Sequence, residues 1–109
     1  MIIMEPIHIP YKGAYASIDL DKRQIGYSGD AEERVKRELM LICWYYIQCY
    51  DKNKSVPLFE DARRFAALVA MPKKFWGDIT RHSIEELVEK ADVTEEFAYY
   101  RISLEVQNN

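Results

Sequence analysis

The chain has 109 residues, 49 % of them hydrophobic, 13 % aromatic and 30 % charged, with a formal net charge of −3. That length suits a single domain spanning 1–109, and the mixture excludes both intrinsic disorder and a wholesale nucleic-acid coat. The longest apolar run, residues 39–47, has nine residues, far short of the roughly 18 that span a membrane.

Residues 1–10 carry Glu5, His8 and two prolines without a basic leader, so no signal peptide is expected and a cytoplasmic location follows. Residues 6–27 place Ile7, Ile9, Tyr11, Tyr15, Ile18 and Leu20 beside Gly13 and Gly26. This predicts an extended segment or small hairpin, an arm over residues 1–29.

A central helix is predicted over residues 30–51. Asp30 stands three residues before Glu33, a capping-box spacing. Val35, Leu39, Ile42, Cys43, Tyr46 and Tyr50 then follow helical spacing, and Leu41, Trp44 and Tyr45 fill the other side. Such a helix is expected to be packed from several directions. Cys43 and Cys49 would point about 240° apart on it, so they are read as reduced thiols that cannot bridge.

Residues 58–90 read as a helix-turn-helix-like pair. Leu58, Ala62, Phe65, Ala66 and Val69 form one stripe, with Glu60, Arg63 and Arg64 outside it. Pro72 then forces a tight turn at 70–73. The next helix carries Trp76, Ile79, Ser83, Ile84 and Leu87 on one face. It either runs unbroken to Lys90 or restarts at Ser83, where Ser83 and Glu86 match a capping box. Residues 91–106 are predicted to close the chain as a β-hairpin turning at Glu95 and Glu96, because Tyr100, Ile102, Leu104 and Val106 alternate. The expected fold class is therefore α+β and mainly helical: a three-helix winged-helix or helix-turn-helix-like domain with an N-terminal extended segment and a C-terminal β-hairpin.

The pair around Pro72 meets the steric demands of a helix-turn-helix. Phe65 and Val69 pack inward, Ala66 is small at the crossing, and Trp76 and Ile79 return the second helix to the core. Ala70 stands where the motif carries glycine. Lys73, Lys74, Gly77, Asp78 and Arg81 then project outward. The lysines are candidates for phosphate contact, Arg81 for reading a base edge and Gly77 for close backbone approach, with Arg63 and Arg64 extending the basic footprint. The same spacing also occurs in an ordinary helical hairpin with solvated lysines. Residues 58–82 carry five basic and three acidic groups, whereas residues 83–109 carry two and seven. An acidic wing would repel phosphate, so the terminal hairpin is not expected to touch DNA.

The wider order is a long aromatic helix (Leu39, Met40, Leu41, Ile42, Cys43, Trp44, Tyr45, Tyr46), then Val56 and Pro57, an alanine-rich helix, Phe75 and Trp76, and Tyr99 to Ile102. Over residues 30–104 it resembles the YdaU-like domain of phage and prophage replication-associated proteins. That resemblance implies a phage or prophage origin, a winged-helix unit acting around DNA replication, and no enzymatic activity.

Other chemistry finds little footing. Glu85, Glu86 and Glu89 read as a solvated helical face without an acid–base partner. The four glycines are scattered, His8 and His82 are isolated, and no CxxC occurs, so no cofactor or metal is expected. Two functions stand. One is a non-enzymatic, DNA-associated binding module for double-stranded DNA. The other is a protein-interaction module that regulates a host nucleic-acid-processing protein, meeting a basic partner through Glu85, Glu86, Glu89, Asp92, Glu95 and Glu96. Homodimerisation through the aromatic helix is compatible with either.

Overall fold

Residues 7–27 fold as a three-stranded antiparallel meander rather than a loose arm. The computed structural model describes residues 5–107, and its strands are β1 (Ile7–Tyr11), β2 (Ala14–Asp19) and β3 (Gln24–Tyr27), in the order β1-β2-β3. Lys12 and Gly13 make the first turn with φ of 50° and 79°, the left-handed pair that a two-residue hairpin requires. Tyr11 lies opposite Ala14, Ile9 opposite Ala16 and Ile18 opposite Ile25. One face therefore gathers Ile9, Tyr11, Ala14, Ala16 and Ile18, all buried, as the period of two dictates.

That face packs against α1 (Glu33–Asn53). Val35, Glu38, Leu39, Ile42, Cys43 and Tyr46 form its buried stripe, and Lys54 ends it in the left-handed conformation. The helix begins two positions later than a cap at Asp30 would set it: Glu32 is the N-cap, with no side-chain hydrogen bond. Burial is also one-sided. Met40 and Trp44 stay 41 % and 51 % exposed, so α1 is not enclosed from all directions. The molecule is a slab of 52 × 32 × 19 Å, too thin to cover both faces of a central helix.

α2 (Phe59–Ala70) packs along α1 through Ala62, Ala66 and Ala67. Small residues let the two backbones approach closely, and Tyr45 and Phe65 meet at a centroid distance of 5.0 Å beside the crossing. Leu58 and Val69 are 74 % and 47 % exposed, so the expected inward stripe narrows to its alanines. After Pro72, α3 (Lys73–Trp76) lasts one turn. Gly77, at φ 65° and ψ −130°, ends it in a conformation that is essentially glycine's alone. A 3₁₀ turn (Ile79–Arg81) and α4 (Ile84–Ala91) follow. Ser83 does cap α4, its hydroxyl accepting from the Glu86 amide at 3.1 Å.

The C-terminal β-hairpin does not exist. Residues 95–107 form a helix, α5 (Glu95–Gln107), and the sheet lies at the opposite end of the sequence. The expected winged-helix class is therefore overturned: the order is three strands followed by helices. The reason is visible in burial. Phe97, Ala98, Arg101 and Leu104 are buried, spaced one, three and three apart along one helical face. Thr94 starts the helix, its hydroxyl accepting from the Phe97 amide at 3.3 Å, and Glu95 and Glu96 suit the positive end of the dipole. Tertiary packing thus overrides the β-propensity of Tyr99, Tyr100 and Ile102.

Candidate nucleic-acid interface

The corner at Pro72 is built from three devices. Met71 closes α2, buried and out of helical geometry (φ −133°, ψ 69°). The Pro72 ring cannot extend that helix and instead starts the next. Arg101, fully buried on α5, donates from Nε to the Met71 carbonyl oxygen at 2.9 Å and from Nη1 to Glu105 at 2.9 Å. The chain therefore turns around an anchored carbonyl, and Lys73, Lys74 and Phe75 face solvent in succession; Phe75 is 81 % exposed.

Beyond it the chain folds back. Trp76 is half-buried, edge-on to His82 at 5.0 Å between centroids. The Asp78 carboxylate accepts from the Thr80 amide (3.1 Å) and hydroxyl (2.6 Å), bonds that hold its pKa below the usual carboxylate range. Lys73, Gly77, Asp78, Thr80 and Glu105 line a polar cleft of about 410 Å³.

The sequence-derived basic candidates do not form one face on a recognition helix, because that helix is a single turn. Lys73 and Lys74 are exposed and neither pairs with a carboxylate among the described residues. Arg81 is exposed but leans on Asp78 at 3.5 Å. Gly77 has open space where a Cβ would stand, so glycine serves the backbone there. Arg64 is exposed. Arg63 is a packing residue: it stacks 3.8 Å above the Tyr100 ring and approaches Glu60 (3.7 Å) and Glu96 (3.9 Å).

The acidic candidates are similarly divided. Asp92 is held by Arg34 (2.9 Å) and Arg37, Glu86 by His82 (3.1 Å) and Lys90 (3.2 Å), and Glu96 lies near Lys12 (4.0 Å) and Arg63. Of these six acidic candidates, Glu85, Glu89 and Glu95 make no ion pair with another described residue.

His82 has acceptors on both sides: Nε2 lies 2.8 Å from the Trp76 carbonyl oxygen and Nδ1 3.1 Å from Glu86. A neutral ring can donate to one of them, an imidazolium to both. The Trp76 carbonyl first, then Glu86, raise its pKa above the ordinary histidine value. A raised folded value stabilises the fold fully below the unfolded pKa of about 6.5 and ceases to do so as pH rises through the folded value. An NMR titration should place the His82 midpoint above about 6.5, and His82→Gln should flatten stability across that window. A midpoint at or below the free value would refute the double-donor geometry.

A second polar cluster escaped the sequence reading. Glu38 is 1 % exposed and accepts from the Tyr11 hydroxyl (2.8 Å), Lys12 Nζ (3.0 Å), the Thr94 amide (2.7 Å) and the Thr94 hydroxyl (3.1 Å). Its one sequence signal is a glutamate at an inward position between Val35 and Ile42. Enclosed and filled with donors, it joins β1, α1 and α5 and offers no opening to a substrate. The Cys43 thiol, buried on the same helix, is pushed up to about 12 by desolvation, which makes it a poor nucleophile.

No group of three or more His, Cys, Asp or Glu side chains is placed to hold a metal among the described residues. Among the described residues, no helix is long and apolar enough to cross a membrane. Compared with known proteins, the chain matches no family model, no curated protein and no solved structure.

Proposed function

We propose that the chain is a non-enzymatic accessory protein that associates with DNA through the Pro72 corner. One observation supports this above the others: Lys73 and Lys74 stand exposed, side by side, with no carboxylate in ion-pairing range among the described residues. A single-turn α3 cannot lie along a major groove, so the contact is to phosphates and is independent of sequence. Arg81 and Arg64 supply further positive charge. A phage-type role goes with the YdaU-like resemblance of residues 30–104, and a cytoplasmic location with the reduced-thiol reading of Cys43 and Cys49. The rival reading, a basic protein held by α4 and α5, is weaker because Glu86, Asp92 and Glu96 are already engaged within the chain.

About three phosphate contacts give a salt slope near −2.7, so affinity for a duplex should fall about 40-fold between 50 mM and 200 mM salt. Lys73→Glu combined with Lys74→Glu should abolish binding in fluorescence anisotropy while leaving the circular dichroism spectrum unchanged. Intact affinity in the double variant would remove this corner as the site.

A further inference from the structure

The exposed side of α1 is a regular stripe: Glu33, Arg37, Met40, Trp44, Gln48 and Asp51 recur every three or four residues. Its centre is apolar, and the charges nearest that centre are opposite in sign, Arg37 before it and Asp51 after it, with Glu33 one turn beyond Arg37. Arg37 and Asp51 each lie seven residues from Trp44, two helical turns or about 10 Å to either side. We propose that this stripe is the contact face of an antiparallel homodimer whose two-fold axis passes beside Trp44.

Self-complementarity argues for a second copy as the occupant. A two-fold at Trp44 sets Arg37 of one protomer opposite Asp51 of the other, twice, with both Trp44 side chains at the centre. A parallel pairing would instead set like charges against each other. Arg37 already touches Asp92, and Asp51 is 2.7 Å from Arg23. With those two side chains 49 % and 36 % exposed, each keeps its own partner and the dimer merges two pairs into a four-charge cluster.

Shape adds an independent match. Beside Trp44 lies a cleft of about 360 Å³ lined by Arg23, Ile25, Ile47, Gln48 and Asp51. At about 100° per residue, Met40 and Ile47 lie on the same flank of α1, about 40° and 60° from Trp44. An antiparallel two-fold preserves the flank, so it carries Met40 of one protomer, 41 % exposed, to the Ile47 side of its partner. There the cleft receives it, and the exchange is reciprocal. The run from Arg37 to Asp51 spans about 21 Å, a short interface of the small, transient class, so the dimer should form in the micromolar range.

Sedimentation velocity between about 1 μM and about 1 mM should show a monomer passing to a dimer. Met40→Glu should raise the dissociation constant more than about tenfold with an unchanged circular dichroism spectrum. A residue on the axis meets its own copy, so Trp44→Cys in a Cys49→Ser background should cross-link to itself under mild oxidation. Leu58→Cys, exposed but off the stripe, should not. A chain that stays monomeric overturns the proposal and leaves the stripe to a different protein. A dimer insensitive to Met40→Glu, with no Trp44→Cys cross-link, overturns it equally by placing the interface elsewhere.

Discussion

Glu38→Ala is expected to cost about 3–5 kcal/mol of folding stability, the range for breaking a buried ion pair by removing one member. Its carboxylate is the common acceptor for Tyr11, Lys12 and Thr94. Without it, a Lys12 ammonium only 13 % exposed loses its nearest and only buried compensating charge among the described residues, and the Thr94 amide at the start of α5 loses its acceptor. The Lys12 ammonium would retain the Thr94 hydroxyl at 2.6 Å, the Tyr11 and Phe97 rings at 5.0 and 5.4 Å and the exposed Glu96 carboxylate at 4.0 Å, contacts too weak or too solvated to replace a buried carboxylate at 3.0 Å. Glu38→Gln keeps the shape and one acceptor oxygen, so it should cost less, about 1–3 kcal/mol. A domain of this kind has about 5–15 kcal/mol in total, and urea denaturation should resolve the two variants readily. A loss below about 1 kcal/mol for the alanine variant would show that the cluster does not hold the sheet to the helices.

Arg101→Ala should be comparably damaging, by about 3–5 kcal/mol, because it combines a cavity with an orphaned carbonyl. Arg101 is the largest of the fully buried side chains, and its Nε is the donor to the Met71 oxygen at the Pro72 corner. Arg101→Met preserves the aliphatic stem and should fall between wild type and alanine. The local consequence separates anchoring from general loosening. The amides of Phe75, Trp76 and Gly77 donate to Pro72 and Lys73 carbonyls, and their hydrogen exchange should accelerate more than that of α1. Uniform acceleration throughout the chain would mean that Arg101 supports the core without setting the corner.

The parts of this fold that could be read from residues are those with one dominant local signal. Val35, Leu39, Ile42, Cys43 and Tyr46 at helical spacing define α1, and Pro72 and Ser83 mark a corner and a cap through chemistry confined to a few neighbours. The C-terminal helix is hidden in the sequence because its buried face includes Arg101, which a hydrophobic pattern leaves out. Once it is omitted, Tyr100, Ile102, Leu104 and Val106 look like an alternating strand. β3 was invisible for the converse reason: Gln24, Gly26 and Tyr27 are exposed, and pairing to β2, not burial, makes them a strand. Gly77 hid the break after α3, since a glycine in a helical pattern does not announce a positive φ. Of the candidate site, exposure of Lys73 and Lys74 was legible from the proline beside them. The stacking of Arg63 on Tyr100 was not, because it depends on α5 being a helix.

The Lys12 to Thr94 contact joins positions 82 residues apart, and this separation dictates an order of events during synthesis. The meander and α1 are local and can form as they leave the ribosome, but Glu38 then sits at an inward position with only half its donors. Until Thr94 has emerged, that carboxylate stays wet and the layers cannot seal. A nascent chain stalled before residue 94 should therefore remain open to proteases across α1, and acquire resistance in one step as α5 arrives.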